Sequence, residues 1–198
     1  MEVTAKDRTL KQMSVSEHNA NSRRAYKCLD RGRSVFTSYR WPPPKPGGHG
    51  EWLEAQGPLE LCANGFHACT ISQLPYWIGS ELWEVDLAGD VVDAGVSLVA
   101  SRARLVRPVA GWDKAARIDF ATDCAARAAR FAGDSPAVVD FIARVAERGA
   151  VGEAAYWSAV LAGESVAGRR SGELYDSAFA AERAEQARRL SKILAQVS

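Results

Sequence analysis

The sequence predicts an α+β fold, with a mixed or antiparallel sheet of about five to seven strands followed by an Ala-rich helical part. Three observations carry this expectation. Trp41, Trp52, Trp77, Trp83 and Trp112, five of the six tryptophans, lie among short alternating segments punctuated by Gly and Pro. After Trp112 the composition turns to Ala, Arg and Glu at helical spacing. The length, 198 residues, suits one good-sized domain or one domain with a helical extension. The chain divides accordingly into an N-terminal arm (1–23), a β-rich core (24–112) and a helical part (113–198).

Residues 1–22 are polar without sustained periodicity and read as a flexible arm, with a short helix around Arg8–Met13. Strands are expected at 25–29, 35–41, 51–54, 59–62, 66–69, 82–87, 91–92 and 98–109, each short and bounded by turn residues. "PPPKPGGHG" (42–50) is a surface loop, because its prolines remove donors and fix φ. Asp113 caps a helix that runs to Ala132 and stops at Gly133. Ser135-Pro136 opens a second helix that ends near Gly149, an acceptor side chain followed by Pro at the first helical position. A third helix spans 152–162, a linker 163–172, and a last helix 173–197 whose Leu190, Ile193, Leu194 and Val197 form a docking face.

Composition narrows the partners. Lys plus Arg (25) nearly balances Asp plus Glu (24), so no global field favours nucleic acid or anionic lipid. No apolar run approaches the ~20 residues of a membrane span. Four cysteines and no apolar leader at the N-terminus point to reduced thiols and a cytoplasmic location.

"LCANGFHAC" (61–69) gathers two cysteines and a histidine around Asn-Gly, the strongest short-range signal for a two-residue hairpin. With Asn64 and Gly65 as the turn, Cys62 faces His67, and Cys69 and Glu60 join them on one face. Leu61, Ala63, Phe66 and Ala68 take the core face. Thr70 and Gln73 then form a capping box for a short helix, "ISQLPYWI", whose N-terminus favours an anion and lowers a nearby thiol's pKa. Three readings stay open. Cys62, His67 and Cys69 supply three zinc ligands, but no second Cys pair completes the set, so zinc is not expected. Cys62 and His67 could form a thiolate–imidazole pair. Otherwise the residues are structural, or His67 alone contacts a ligand.

Further along, Glu84 and Asp86 share one strand face, and Arg102 and Arg104 share a face of the strand at 98–109. The ordinary reading is a cross-strand charge ladder. The functional one makes Glu84 an acid/base group and Arg104 an anion clamp.

The segment "LCANGFHACTISQLPYWIGSELWEVDLAG", with "AYKCL", "RWPPP" and "ASRARLVRPVAGW", resembles a family of small uncharacterised actinobacterial and phage-associated proteins, a likeness that implies no activity. More distantly, "GFHACTISQLPYWIGSELWEVDL" is similar to ADP-ribosyltransferase cores, with Tyr76 in the helix. That resemblance implies NAD or another nucleotide as ligand. Lys27 stands where those cores carry Arg or His, "FTS" (36–38) replaces their serine-threonine-serine strand, and no position matches the transferase glutamate, so the core would be a degenerate transferase.

Two functional expectations follow. In one, a nucleotide- or phosphate-type ligand is held by Lys27, Arg40, Trp41, Thr70, Tyr76 and Arg104, with His67 and Glu84 doing polar chemistry. Trp41 and Trp52 would line its cleft, while Trp83 fills the core. In the other, the chain is a non-enzymatic module whose C-terminal helices contact a protein partner.

Overall fold

The computed structural model describes residues 22–133, 135–168 and 171–195. The expected helix at Arg8–Met13 and Val197 lie outside them.

Six strands form one sheet: β1 (Arg23–Asp30), β2 (Arg33–Ser34), β3 (Leu53–Glu54), β4 (Phe66–Ala68), β5 (Glu81–Asp93) and β6 (Leu98–Pro108). A 3₁₀ turn, Leu74–Tyr76, precedes β5, and four helices follow: α1 (Lys114–Phe131), α2 (Pro136–Glu147), α3 (Val151–Ala167) and α4 (Glu173–Ala195). The fold is thus α+β, and the described strand pairings are antiparallel.

The order is β2-β1-β5-β6-β3, and β4 shares the outer edge of β6 with β3. The two segments expected at 82–87 and 91–92 are one long strand, bent by register shifts at Glu84/Val85 and Ala88/Val91. Such bulges increase twist. The bend brings β4 round to β1, where Cys69 and Tyr26 exchange backbone hydrogen bonds of 2.7 and 2.8 Å. The sheet curls on itself and pairs an edge that would otherwise lie open.

Alternation then sorts the side chains. Ala25, Leu29, Val85, Leu87, Leu98, Ala100, Ala103 and Leu105 fill the inside of the curl together with Trp41 and Ala68. Cys28, Cys69 and Leu82 face outward onto Phe120, Val145, Ala154 and Leu190 of the helices. The sheet and helical parts therefore share one core.

Local signals in the helical part hold well. The Asp113 carboxylate accepts from Ala116 N at 2.8 Å, and Pro136 opens α2, although the Ser135 side chain makes no capping hydrogen bond. The third helix is longer than expected, because α3 continues through 163–167, residues read as linker. Gly163 sits mid-helix because Tyr175 of α4 lies on it; a Cβ there would come 2.6 Å from the ring. Two β expectations fail. Residues 35–41 and 59–62 are loops: each closes through turn hydrogen bonds (Ser34 N to Tyr39 O, Asn64 N to Glu60 O) and makes only a single bridge, Arg40 to Arg33 and Glu60 to Asn64, in place of a ladder.

Candidate functional site

The Asn-Gly turn is displaced. Glu60 and Asn64 pair with each other, so 61–63 form the tip and Cys62 takes φ 65°. The Asn64 amide donates to Gln56 O at 2.8 Å and Pro58 O at 2.7 Å. Gly65 is needed for closeness as well as for its φ of 131°, because a Cβ would come 2.6 Å from Val99 Cγ1 and 2.9 Å from Leu59 Cδ2. The expected Cys62–His67 pairing does not form: Cys62 is exposed at the tip and His67 lies opposite Val99.

The thiols are not poised for chemistry either. Burial, then the neighbouring Cys28 thiol, pushes the Cys69 thiol up, with Lys27 opposing. Burial pushes Cys28 up to about 12. This corrects the expected lowering by a helix end. The 3₁₀ turn has three residues, too few to build a helix field. Among the described residues no group of three metal-ligating side chains converges, so Cys62, His67 and Cys69 do not form a ligand set.

The capping box does form in part: Gln73 Oε1 accepts from Thr70 N at 3.0 Å. Gln73 Nε2 extends the link to Asp93 and Gly95 at the tip of the β5–β6 hairpin, at 2.9 and 3.1 Å. The Thr70 hydroxyl meets Ser72 at 2.8 Å. Thr70 therefore anchors the turn.

His67 and Glu84 do not converge. The half-buried His67 ring meets Ser97 Oγ through Nδ1 at 3.3 Å. Tyr26 separates the two residues, bridging to Cys69 on one side and pairing with Glu84 on the other. Burial, then the Lys27 charge, lowers the His67 pKa below its ordinary 6.5. The folded state thus binds fewer protons than the unfolded state below pH 6.5, and stability falls as the pH drops from there towards the lowered folded value. Urea melts at pH 7.5 and 5.5 should show wild type losing more stability on acidification than His67→Gln, with the difference confined to that interval.

Glu84 is bound by Arg24 and by Arg107, whose Nη2 lies 2.9 Å away. Asp86, almost fully buried, accepts from Arg24 Nε at 2.9 Å and from Arg104 at 2.8 and 3.0 Å. This is the charge ladder, with Arg104 on Asp86 rather than on Glu84. Trp52 covers it, its ring 4.6 Å from the Arg104 guanidinium and 5.0 Å from that of Arg102. Both residues proposed for chemistry or anion clamping on this face, Glu84 and Arg104, are committed to structural partners. Arg24 escaped sequence reading, although it lies on β1 opposite Asp86, on the face that alternation gives Glu84 and Asp86.

Tyr76 is also structural. Arg183 of α4 lies 5.0 Å from both the Tyr76 and Phe179 rings, and donates to Pro75 O at 2.7 Å. Trp41 is buried, so it is a pillar and not a stacking platform: its indole donates to Ser34 Oγ at 2.8 Å. Trp83 is only partly buried against the inner core.

Lys27 is different. It shares the inner face with Ala25 and Leu29. Its Nζ donates to His67 O at 2.8 Å and lies 5.5 Å from the Trp41 ring. This is the seam where β4 leaves β1. Lys27 forms no ion pair among the described residues, and burial pulls its pKa below the ordinary lysine value. Tyr39, which packs edge-on to Trp41 at 6.2 Å, is exposed, and so is Arg40, the next residue in the chain. No family model, curated protein or solved structure matches the chain.

Proposed function

We propose that the chain binds a small phosphate-bearing ligand of the nucleotide type, with Lys27 as the charge-recognising residue. The observation that supports this is the lysine itself. Among the described residues this desolvated ammonium has one carbonyl partner and no carboxylate, leaving two donors and a charge that an anion would satisfy. Tyr39 offers an exposed ring for a base, and Arg40 a neighbouring cation. The reading is of binding and not of turnover, because Glu84 and the thiols have other commitments. Thr70, Tyr76, Trp41 and Arg104 drop out as direct contacts.

Titration calorimetry with inorganic phosphate, AMP and NAD tests it. At least one should bind, with NAD and AMP tighter than phosphate. Lys27→Met should weaken binding at least about tenfold, the loss of one charge-assisted contact. Because the anion favours the ammonium form, affinity should fall as pH rises through the lowered lysine range, and the variant should lose that slope. Absence of binding by all three, or equal binding by the variant, would overturn the proposal.

A further inference from the structure

Between Trp41 and Gly50 the chain leaves the sheet in a Pro-rich loop, "WPPPKPGGHG". Both ends are fixed. Trp41 is buried, and its N–H donates to Gly32 O at 3.0 Å. Gly50 is buried and donates to Leu105 O at 2.7 Å; a Cβ there would come 2.9 Å from the same oxygen.

The backbone between these anchors has little choice of conformation. Pro42, Pro43, Pro44 and Pro46 hold φ near about −65°. Trp41, Pro42, Pro43 and Lys45 each precede a proline, which drives them from the α region to extended backbone. Gly48 N donates to Lys45 O at 3.0 Å and Gly47 takes φ 73°, so Pro46-Gly47 form the centre of a type II turn. The first central position of that turn is itself close to polyproline II. Residues 41–46 therefore wind as a left-handed polyproline II helix with three residues per turn.

Burial follows that period. Trp41 is buried and Pro44 half-buried, so this edge lies against the protein. Arg40, Pro43 and Pro46 share the next edge, and all three are exposed. A cation and two prolines thus face solvent in line, on a segment held at both ends. A polyproline II helix has no internal hydrogen bonds and loses little freedom on docking, and aromatic-lined grooves recognise that form. An anionic surface would use Arg40 and Lys45 but would gain nothing from the prolines.

We infer that residues 40–46 are a docking ligand for a partner protein with an aromatic-lined polyproline groove that has carboxylates beside it. Pro43 and Pro46 fill the aromatic clefts, and Arg40 meets the carboxylates. Arg40 is shared with the Lys27 reading, whereas Pro43 and Pro46 are not, so the prolines carry the test.

The probe is a panel of purified SH3 domains, which present such a groove, titrated calorimetrically with the full chain. At least one should bind with Kd below about 100 μM. Pro43→Ala/Pro46→Ala and Arg40→Glu should each weaken that binding at least about tenfold. Pro44→Ala, on the edge against the protein, should change it less than about threefold. A free peptide of residues 38–49 should bind no more tightly than the chain, because the anchored ends have already ordered the segment. Melting temperatures close to wild type establish that the variants fold. The inference is overturned if no domain binds the chain, or if the free peptide binds more tightly than the chain does. It is equally overturned if Pro44→Ala weakens binding as much as the Pro43/Pro46 pair, or if only Arg40→Glu matters, which marks a plain charge contact.

Discussion

Glu182→Ala should be the most damaging of the polar substitutions, costing about 3 kcal/mol. Glu182 of α4 is buried between helices and accepts from Arg127 Nε of α1 at 2.8 Å, Ser158 Oγ of α3 at 2.5 Å and Gln186 Nε2 at 3.2 Å. One carboxylate oxygen therefore ties three helices together. Removing it strands the Arg127 charge with only Asp123 and leaves Ser158 without that acceptor. An orphaned buried charge costs more than the pair contributes, because the desolvation of the remaining partner is no longer offset. For a chain of this size the melting temperature should fall by about 6–12 °C. Glu182→Gln, which keeps an acceptor and the side-chain volume, should cost less. The double change Arg127→Leu/Glu182→Leu should recover much of the loss, since no charge is left buried. Denaturant melts of the three variants check the order. If Glu182→Ala melts with wild type, the network contributes nothing.

Gly65→Ala should be comparably severe, about 2–4 kcal/mol. Two penalties add. A φ of 131° is strained for any residue with a Cβ. The new Cβ would also overlap Val99 on β6, a strand buried inside the curl, and Leu59. Relief by movement would pull β4 from β6 and open the seam beside Lys27. The variant should therefore lose ligand affinity along with stability, whereas Gly57→Ala, at a site with φ 80° and open space, should lose stability alone and by less. Parallel melts and titrations separate the two effects.

The contrast at Asn64-Gly65 shows how much of the site sequence reading could reach. Residue types and alternation placed Phe66 and Ala68 inside and His67 and Cys69 outside, as the structure has them. The turn rule was nonetheless satisfied differently. Asn64 spends its amide on two upstream carbonyls, and Gly65 is required by Val99, a residue more than thirty positions away. The tip therefore falls at 61–63, β4 pairs with β6 instead of with 59–62, and Cys62 leaves the face that sequence pairing gave it. Thr70 and Gln73 are the opposite case: their capping bond is local, and it formed.

What this sequence determined by itself is what short-range rules govern. The strands expected at 25–29, 82–87 and 98–109, the Asp113 cap, the Pro136 start and the facing of Glu84 and Asp86 by Arg104 follow from alternation, caps and composition, whereas Arg107 on Glu84 and Arg102 on Glu54 were set by the strand register. Tertiary structure decided everything that depends on which surfaces meet. The bulges in β5 curl the sheet until Cys69 pairs with Tyr26, and that closure partly buries Lys27, which has no counter-charge among the described residues. Burial also raises the Cys28 and Cys69 thiols, Trp41 is enclosed in the inner core, and Arg183 and Phe179 of α4 take up Tyr76. Desolvation is the reason for the difference, because no local pattern records how much water a folded chain removes from each side chain.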